Sequence, residues 1–114
     1  MDLQSIIDHL DLKLLTEPKD FTGAVPASGY ASDLLSCVMA GAKKDGLWIT
    51  LQSHDNIVAV AALLELSAVI ITEDAQPELS TIARAVAKNI TLLSTPLSTF
   101  DIVGKLWELG LRSE

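Results

Sequence analysis

Residues 47–72 read LWITLQSHDNIVAVAALLELSAVIIT, and this stretch decides the fold. It contains two short apolar runs suited to strands, 47–51 and 68–72, with a segment of helical length, 55–66, between them. An unbroken Ala-Val-Ile-Ile run is typical of a strand buried on both faces. The order strand, helix, strand predicts a parallel β-α-β unit. The chain therefore belongs to the α/β class.

The same alternation continues toward the C-terminus. We predict a helix over 77–88 with Pro77 at its first position, a strand over 90–94, and a last helix that ends at Gly110. Asn89 is the expected terminator of the first of these helices, and Ser98 is the expected N-cap of the second. From residue 47 onward the pattern is βαβαβα, so right-handed crossovers are expected to place helices on both faces of a parallel sheet.

The N-terminal half carries weaker signals of the same kind. Asp2 is the expected cap of a helix through Leu10, followed by a strand over 11–16 and a short edge strand within 23–30. Ser32 is the expected N-cap of a helix over 33–40, which Gly41 would stop in the left-handed conformation. Together these elements predict a three-layer α/β sandwich: a mostly parallel sheet of about four or five strands flanked by helices on both faces.

Composition limits size and partners. The 114 residues carry 8 Lys and Arg against 15 Asp and Glu, a formal charge of −7, which describes one acidic domain over 1–114 and opposes binding to nucleic acid or to an anionic membrane. The residues are 49% hydrophobic but only 4% aromatic. Such an aliphatic surplus, concentrated around 57–71, exceeds what a small domain can hide and predicts a homodimer interface.

Cysteine usage and the N-terminus predict a cytoplasmic protein. Cys37 is the only cysteine, so neither an intrachain disulfide nor a Cys/His zinc pattern can be drawn. The first residues lack the basic region of a signal peptide. The most apolar stretch is interrupted by Glu65 and Ser67 and falls short of a membrane span. No cofactor or resident metal is predicted.

Polar turns follow each predicted strand, and these are the candidate ligand site. Open α/β sheets bind ligands beyond the carboxyl ends of their strands. The expected mouth would therefore be acidic and lined by hydroxyls, one imidazole and carboxylates, although the same residue types also occupy such turns simply to cap helices. The candidates are Ser53, His54, Asp55 and Asn56, then Thr72, Glu73 and Asp74, then Ser94 and Thr95.

The spacing of the residues gives little support for a hydrolase triad, a phosphate loop or a phosphoacceptor site. Ser53, His54 and Asp55 are adjacent, so their side chains diverge and cannot form a hydrolase triad. The glycine pair at 41 and 46 lacks the Lys and Ser or Thr of a phosphate loop. A receiver-type phosphoacceptor would need a Lys where Thr95 stands. Two alternatives remain open: a magnesium site made by Asp55, Glu73 and Asp74, and a small enzyme using His54 with Asp55 or Glu73 as acid and base.

Four segments in order resemble the DRTGG domain, most closely its short stand-alone form, over residues 28–111. They read GYASDLLS at 29–36, LWITLQSHDNI at 47–57, AVIIT at 68–72 and LLSTPL at 92–97. Tyr30 and Ser32, from the first segment, complete the set of candidate ligand-binding residues. Longer members have a Gly-Asp-Arg type turn where this chain has 52–54, and Thr-Gly-Gly where it has 72–74. The arginine that could grip an anion is absent.

The resemblance implies an accessory domain. Relatives accompany the kinase domain of HPr kinase/phosphorylase, some phosphate acetyltransferases, and CBS domains in nucleotide-regulated pyrophosphatases, where the domain contributes to dimerisation. We therefore expect a non-catalytic, homodimeric regulatory or scaffold domain that senses a small metabolite or nucleotide at the strand ends. The alternatives are a pure protein-interaction module, whose partner is another protein, and the small enzyme named above.

Overall fold

A computed structural model describes residues 1–113 and confirms the predicted α/β architecture. Five strands form one sheet in the order β1-β5-β4-β3-β2, with five helices packed against it. The elements are α1 (Leu3–Leu10), β1 (Lys13–Leu14), β2 (Gly29–Ala31), α2 (Leu35–Gly41), β3 (Leu47–Thr50), α3 (Asn56–Leu64), β4 (Ala68–Ile71), α4 (Leu79–Ala87), β5 (Leu92–Ser94) and α5 (Thr99–Glu108).

Four of the strands are parallel and stand in chain order. β2 pairs with β3, β3 with β4, and β4 with β5, all parallel, so their carboxyl ends lie at one edge of the sheet. Thr50 stands opposite Ile71, and Ile71 opposite Ser94. The two-residue strand β1 closes the other side of β5 in the antiparallel sense.

The helices form two layers, but not in the way the crossover argument predicted. Because the order of β2 to β5 never reverses, three successive right-handed crossovers put α2, α3 and α4 on the same face. That face packs on Trp48, Val69 and Ile71, all fully buried. The opposite face is covered by α1 and α5, which pack against Ile49 and Ile70. The N- and C-terminal helices therefore complete the sandwich.

The N-terminal half departs from the sequence prediction at several residues. The strands are shorter and later than expected, and the segment 23–28 carries none. Ser32 does not cap α2: the N-cap is Leu34, and the Ser32 hydroxyl accepts from the Leu34 N–H within the preceding turn. Gly41 is not left-handed either. It is the last residue of α2, and a Cβ there would lie 2.5 Å from Cε1 of Tyr30, so close packing of that ring requires glycine.

The C-terminal half follows the prediction closely. Ser98 caps α5 by accepting from the Asp101 N–H at 3.1 Å, and Asn89 ends the α4 region with a φ of 61°. The exception is Pro77, which is buried ahead of the helix while Glu78 serves as the extended N-cap. Strand and helix bounds otherwise shift by one or two residues.

Candidate functional site

The parallel strands bring the predicted candidates to one edge of the sheet. Because β2, β3, β4 and β5 run in the same direction, their following turns are neighbours. This edge carries the turn at 53–56 after β3, the turn at 72–74 after β4, and Ser94 with Thr95 at the end of β5. Tyr30 and Ser32 lie at the end of β2 beside it. What these side chains can do depends on which of them already have partners.

The crevice between β4 and β5 is filled by the protein itself. The helix that follows β4 lies on one face of the sheet, and the helix that follows β5 lies on the other, which leaves a crevice between the two strand ends. Open α/β sheets bind ligands in crevices of this kind. The hydroxyls of Thr72 and Thr99 are hydrogen-bonded at 2.6 Å. The Glu73 N–H donates to the Leu97 carbonyl at 2.8 Å. Thr72 is 0% exposed, so no ligand reaches its hydroxyl without opening these contacts.

Glu73 occupies the start of α5. Its Oε2 accepts from the Thr99 N–H at 2.8 Å. A helix N-terminus favours negative charge because its first amides and its dipole point at that position. The carboxylate therefore stands where the anionic group of a bound ligand would otherwise interact with α5. The crevice is closed electrostatically as well as sterically.

The closing turn uses unusual backbone conformations. Glu73 has a φ of 62° and Asp74 a φ of 58°, both in the left-handed region that favours glycine. These are the positions at which the resemblance places Thr-Gly-Gly. A chain with glycines there would adopt the same turn without strain and would lack the carboxylate that caps α5.

One polar pocket remains open on this edge, between the turn after β3 and the start of α4. Its volume is about 240 Å³, and Ser53, His54 and Asp55 line one side. The Asp55 carboxylate already accepts from the Thr81 hydroxyl. Nδ1 of His54 accepts from the Asn56 N–H at 3.3 Å, which places the proton of the neutral ring on Nε2.

Three residues of this pocket escaped the sequence analysis, namely Gln76, Glu78 and Thr81. Thr81 carried the one usable signal. It shares the inward face of α4 with Ala85 and is 1% exposed, so a buried hydroxyl among apolar positions required a partner. The acceptor, Asp55, lies 26 positions earlier in the chain.

The other candidates have structural duties. The Ser32 carbonyl accepts from Nε1 of Trp48 at 2.9 Å, and the Tyr30 ring packs on Gly41. Asp33, outside the predicted set, closes the end of β3 by accepting from the Thr50 hydroxyl at 2.8 Å.

Among residues 1–113, no three His, Cys, Asp or Glu side chains come close enough to hold a metal ion. The magnesium interpretation has no geometric support.

A second concave region lies away from the strand ends, between the free edge of β2 and α5. This hollow has a volume of about 330 Å³ and apolar walls that include Ala31, Val103, Trp107 and Leu111. The tail closes one end of it, where the Gly29 N–H donates to the Arg112 carbonyl at 2.8 Å. The Arg112 guanidinium stacks 3.7 Å from the centre of the Trp107 ring. Of the candidates from sequence analysis, Tyr30 lines this hollow, although the region itself was not predicted.

Comparison with known proteins supports the fold. The chain is similar to a crystal structure of the CBS and DRTGG domains of the regulatory region of Clostridium perfringens pyrophosphatase, complexed with the activator diadenosine tetraphosphate. The TM-score is 0.69 at 21% identity, covering 90% of this chain and 44% of that one. The chain thus spans less than half of that structure, and the likeness establishes a DRTGG-like fold.

Neither a protein-family model nor a curated protein matches the sequence. Within the described residues, every helix is too short or too polar to cross a bilayer.

Proposed function

We propose that this chain is a single non-catalytic regulatory or assembly domain, of the DRTGG type, that acts as a homodimer in the cytoplasm. The closed crevice between β4 and β5 carries the proposal. The chain's own groups occupy the position where a doubly wound sheet would bind substrate: the Thr72 and Thr99 hydroxyls bond to each other, and Glu73 caps α5. A domain whose usual ligand position is filled acts through its surfaces.

The carboxylates argue against the small enzyme. An acid–base pair needs groups free to reach a substrate proton. Asp55 is bonded to the Thr81 hydroxyl, and Glu73 is bonded to the start of α5. Within residues 1–113, neither of these carboxylates is hydrogen-bonded to His54, so no aligned acid–base pair is formed. The similar structure is also a regulatory region by its description.

Sedimentation velocity over roughly 1–100 μM tests the dimer, a range that brackets weak to moderate protein association. We expect the sedimentation coefficient to rise with concentration toward that of a two-chain species. A single monomeric species throughout would refute the homodimer. Association only with a second, different protein would support the pure interaction module instead.

Small-molecule sensing is the second candidate, because one pocket at the strand ends stays open. Its polar lining by His54, Asp55 and Glu78 suits a ligand with hydrogen-bond donors. The two carboxylates and the −7 charge make an unaccompanied polyphosphate hard to hold. The nucleotide complex of the similar structure supports nucleotides as the first compounds to test.

A thermal-shift series with adenosine, AMP, ATP and diadenosine tetraphosphate tests this candidate. Binding to the folded state raises the melting temperature, and the rise grows with the ratio of free ligand concentration to the dissociation constant. We expect a rise that His54→Ala abolishes and that Leu79→Ala, an exposed substitution on α4, retains. A rise equal in both variants would place binding elsewhere, and no rise with any compound would leave the interaction module as the function.

A further inference from the structure

The outer face of α5 exposes large apolar side chains in a regular line. Phe100 is 86% exposed, Trp107 57% and Val103 38%. With Gly104 they recur at helical spacing, so they form one stripe, the α5 stripe. A Cβ at Gly104 would meet no atom within 4 Å. The chain has five aromatic residues, two Trp, one Tyr and two Phe. Two of them are exposed here, and the Trp107 ring carries the Arg112 guanidinium on one face.

The apolar hollow adjoins this stripe. Val103 and Trp107 belong to both, since they line the hollow while exposing part of their surface. The hollow lies level with the C-terminal half of α5, and Phe100 lies at the N-terminal end of the same helix. One chain therefore presents a projecting ring and an apolar cavity, separated by about 10 Å along the helix at a rise of 1.5 Å per residue.

We infer that a second copy of this chain docks on the α5 stripe, with the two α5 helices antiparallel about a two-fold axis between Val103 and Gly104. This inference rests on the proposed homodimer and names its surface. Positions equidistant from the axis then face each other. Phe100 meets Trp107 of the partner subunit, and Val103 meets Gly104 of the partner subunit.

The stripe is complementary to itself under this operation. Each large ring faces the other kind of ring, and the branched Val103 faces a residue with no side chain, so the helices approach closely at the axis. Each Phe100 also lies level with the hollow of the opposite copy. A two-fold contact requires one patch to complement itself. Here the Phe100 ring of each copy would meet the hollow of the other, so the same contact forms twice.

The available area is adequate for a weak dimer. Two largely exposed aromatic rings, Val103 and the hollow walls supply about 400 Å² of apolar surface per copy. A standard interface buries about 800 Å² per partner including its polar rim. The −7 charge of each copy opposes association, and the stripe is flanked by Asp101, Lys105 and Glu108. We therefore expect a dissociation constant on the order of micromolar that falls as salt screens the repulsion.

Sedimentation of two matched variants provides the first test. Phe100→Ser removes the projecting ring, while Leu79→Ser removes a comparably exposed side chain, 84% in water, from α4 on the opposite face. We expect Phe100→Ser to weaken dimerisation at least 10-fold and Leu79→Ser to leave it unchanged. Circular dichroism melts of both variants check that the fold is retained.

Disulfide trapping provides the second test, in a Cys37→Ser background because Cys37 is free and exposed. Val103→Cys places a thiol beside the axis, where the two copies meet, and it leaves Gly104 without a side chain so that the helices can still approach closely. We expect it to form a covalent dimer under mild oxidation, while Leu63→Cys, on α3 and 67% exposed, stays monomeric.

The outcomes separate two failures. A wild-type chain that stays monomeric overturns both the homodimer and the stripe. A dimer that survives Phe100→Ser and is trapped by Leu63→Cys keeps the homodimer and overturns the stripe.

Discussion

Glycine substitutions at the turn after β4 give the sharpest test of how the crevice is closed. Glu73 and Asp74 both have positive φ, but only Glu73 also caps α5 through the Thr99 N–H. Replacing each by glycine separates the two effects. Asp74→Gly relieves backbone strain at little other cost, because its side chain bonds only with the exposed Gln76. Glu73→Gly relieves strain and removes the cap together.

The magnitudes follow from these two terms. A left-handed residue other than glycine costs roughly 1–2 kcal/mol of stability, and less when it is Asp. Glycine removes this strain but lowers stability by about 0.4–1 kcal/mol, because it gives the unfolded chain more conformational entropy. Loss of a cap costs about 1 kcal/mol. We expect Asp74→Gly to raise the free energy of unfolding by about 0.5 kcal/mol and Glu73→Gly to change it by less than about 1 kcal/mol in either direction. Glu73→Ala keeps the strain and loses the cap, so it should lower the free energy of unfolding by about 1 kcal/mol.

Urea unfolding at one fixed protein concentration measures all three variants, because the proposed homodimer would make stability depend on concentration. A difference of 1 kcal/mol moves the melting temperature by about 4 °C in a domain of this size. The reasoning requires the order Asp74→Gly, then Glu73→Gly, then Glu73→Ala. If Glu73→Ala were as stable as the wild type, the carboxylate would not hold α5. If Asp74→Gly were the least stable, the left-handed strain would not exist.

Three further substitutions test other parts of the fold. Gly41→Ala gains up to about 1 kcal/mol from helix propensity but loses about 1–3 kcal/mol because its methyl group overpacks the Tyr30 ring. Urea unfolding should therefore show a net loss of stability. The loss caused by Gly41→Ala should be smaller when it is introduced together with Tyr30→Ala. Trp48→Phe leaves the Ser32 carbonyl without its indole donor and opens space in the core, and chemical denaturation should show a loss of about 2 kcal/mol. At Asp2, hydrogen bonds from the Ser5 and Gly23 N–H groups hold the pKa of the carboxyl below 3.8. The stability that this carboxylate contributes is present above pH 3.8 and is lost as pH falls through the lowered pKa. Between about pH 5 and pH 2, the melting temperature should therefore change less with pH in Asp2→Asn than in the wild type.

Periodicity predicted the second half of the fold better than the first, for a physical reason. The strands β3 and β4 are covered on both faces, so nearly every residue is apolar and the run stands out. The edge strands β1 and β2 have two and three residues with partly exposed faces. Their position is set by pairing with Leu93 and with Trp48, residues far along the chain. Local pattern carries no record of such pairing.

The strand-end rule predicted which edge of the sheet brings the polar turns together but could not show that the crevice there is closed. Closure depends on pairs distant in sequence: the Thr72 and Thr99 hydroxyls are 27 positions apart, and Glu73 is 26 positions from the amide it caps. The left-handed turn that aims Glu73 at α5 is also invisible in the residue types, because Glu is a poor predictor of positive φ. A polar turn therefore predicts a ligand site only if its side chains are not already hydrogen-bonded within the protein, and the sequence does not show those hydrogen bonds.

The aliphatic surplus around 57–71 was predicted to exceed what the core can hold, and the structure divides it between the core and the surface. Much of the apolar stretch at 57–71 serves the core, with Ile57, Val58, Ala61 and Ile71 all fully buried. Most of the exposed large apolar side chains are aliphatic, among them Leu63 and Leu79, and the two exposed rings are Phe100 and Trp107 on α5. Composition alone could not distinguish core from surface because it counts side chains without their exposure.

The filled crevice and the exposed stripe are two ends of one arrangement. Glu73 and Thr72 hold the first residue of α5 against the end of β4, while Ile102 and Leu106 bury its inner face on the sheet. A helix held at its N-terminus and along one side presents its remaining face in a set direction. The proposed self-association of this surface would benefit from that rigidity, because each flexible side chain or element ordered on association lowers affinity. The hydrogen bonds that close the crevice therefore also help, together with the packing of Ile102 and Leu106, to orient the α5 stripe.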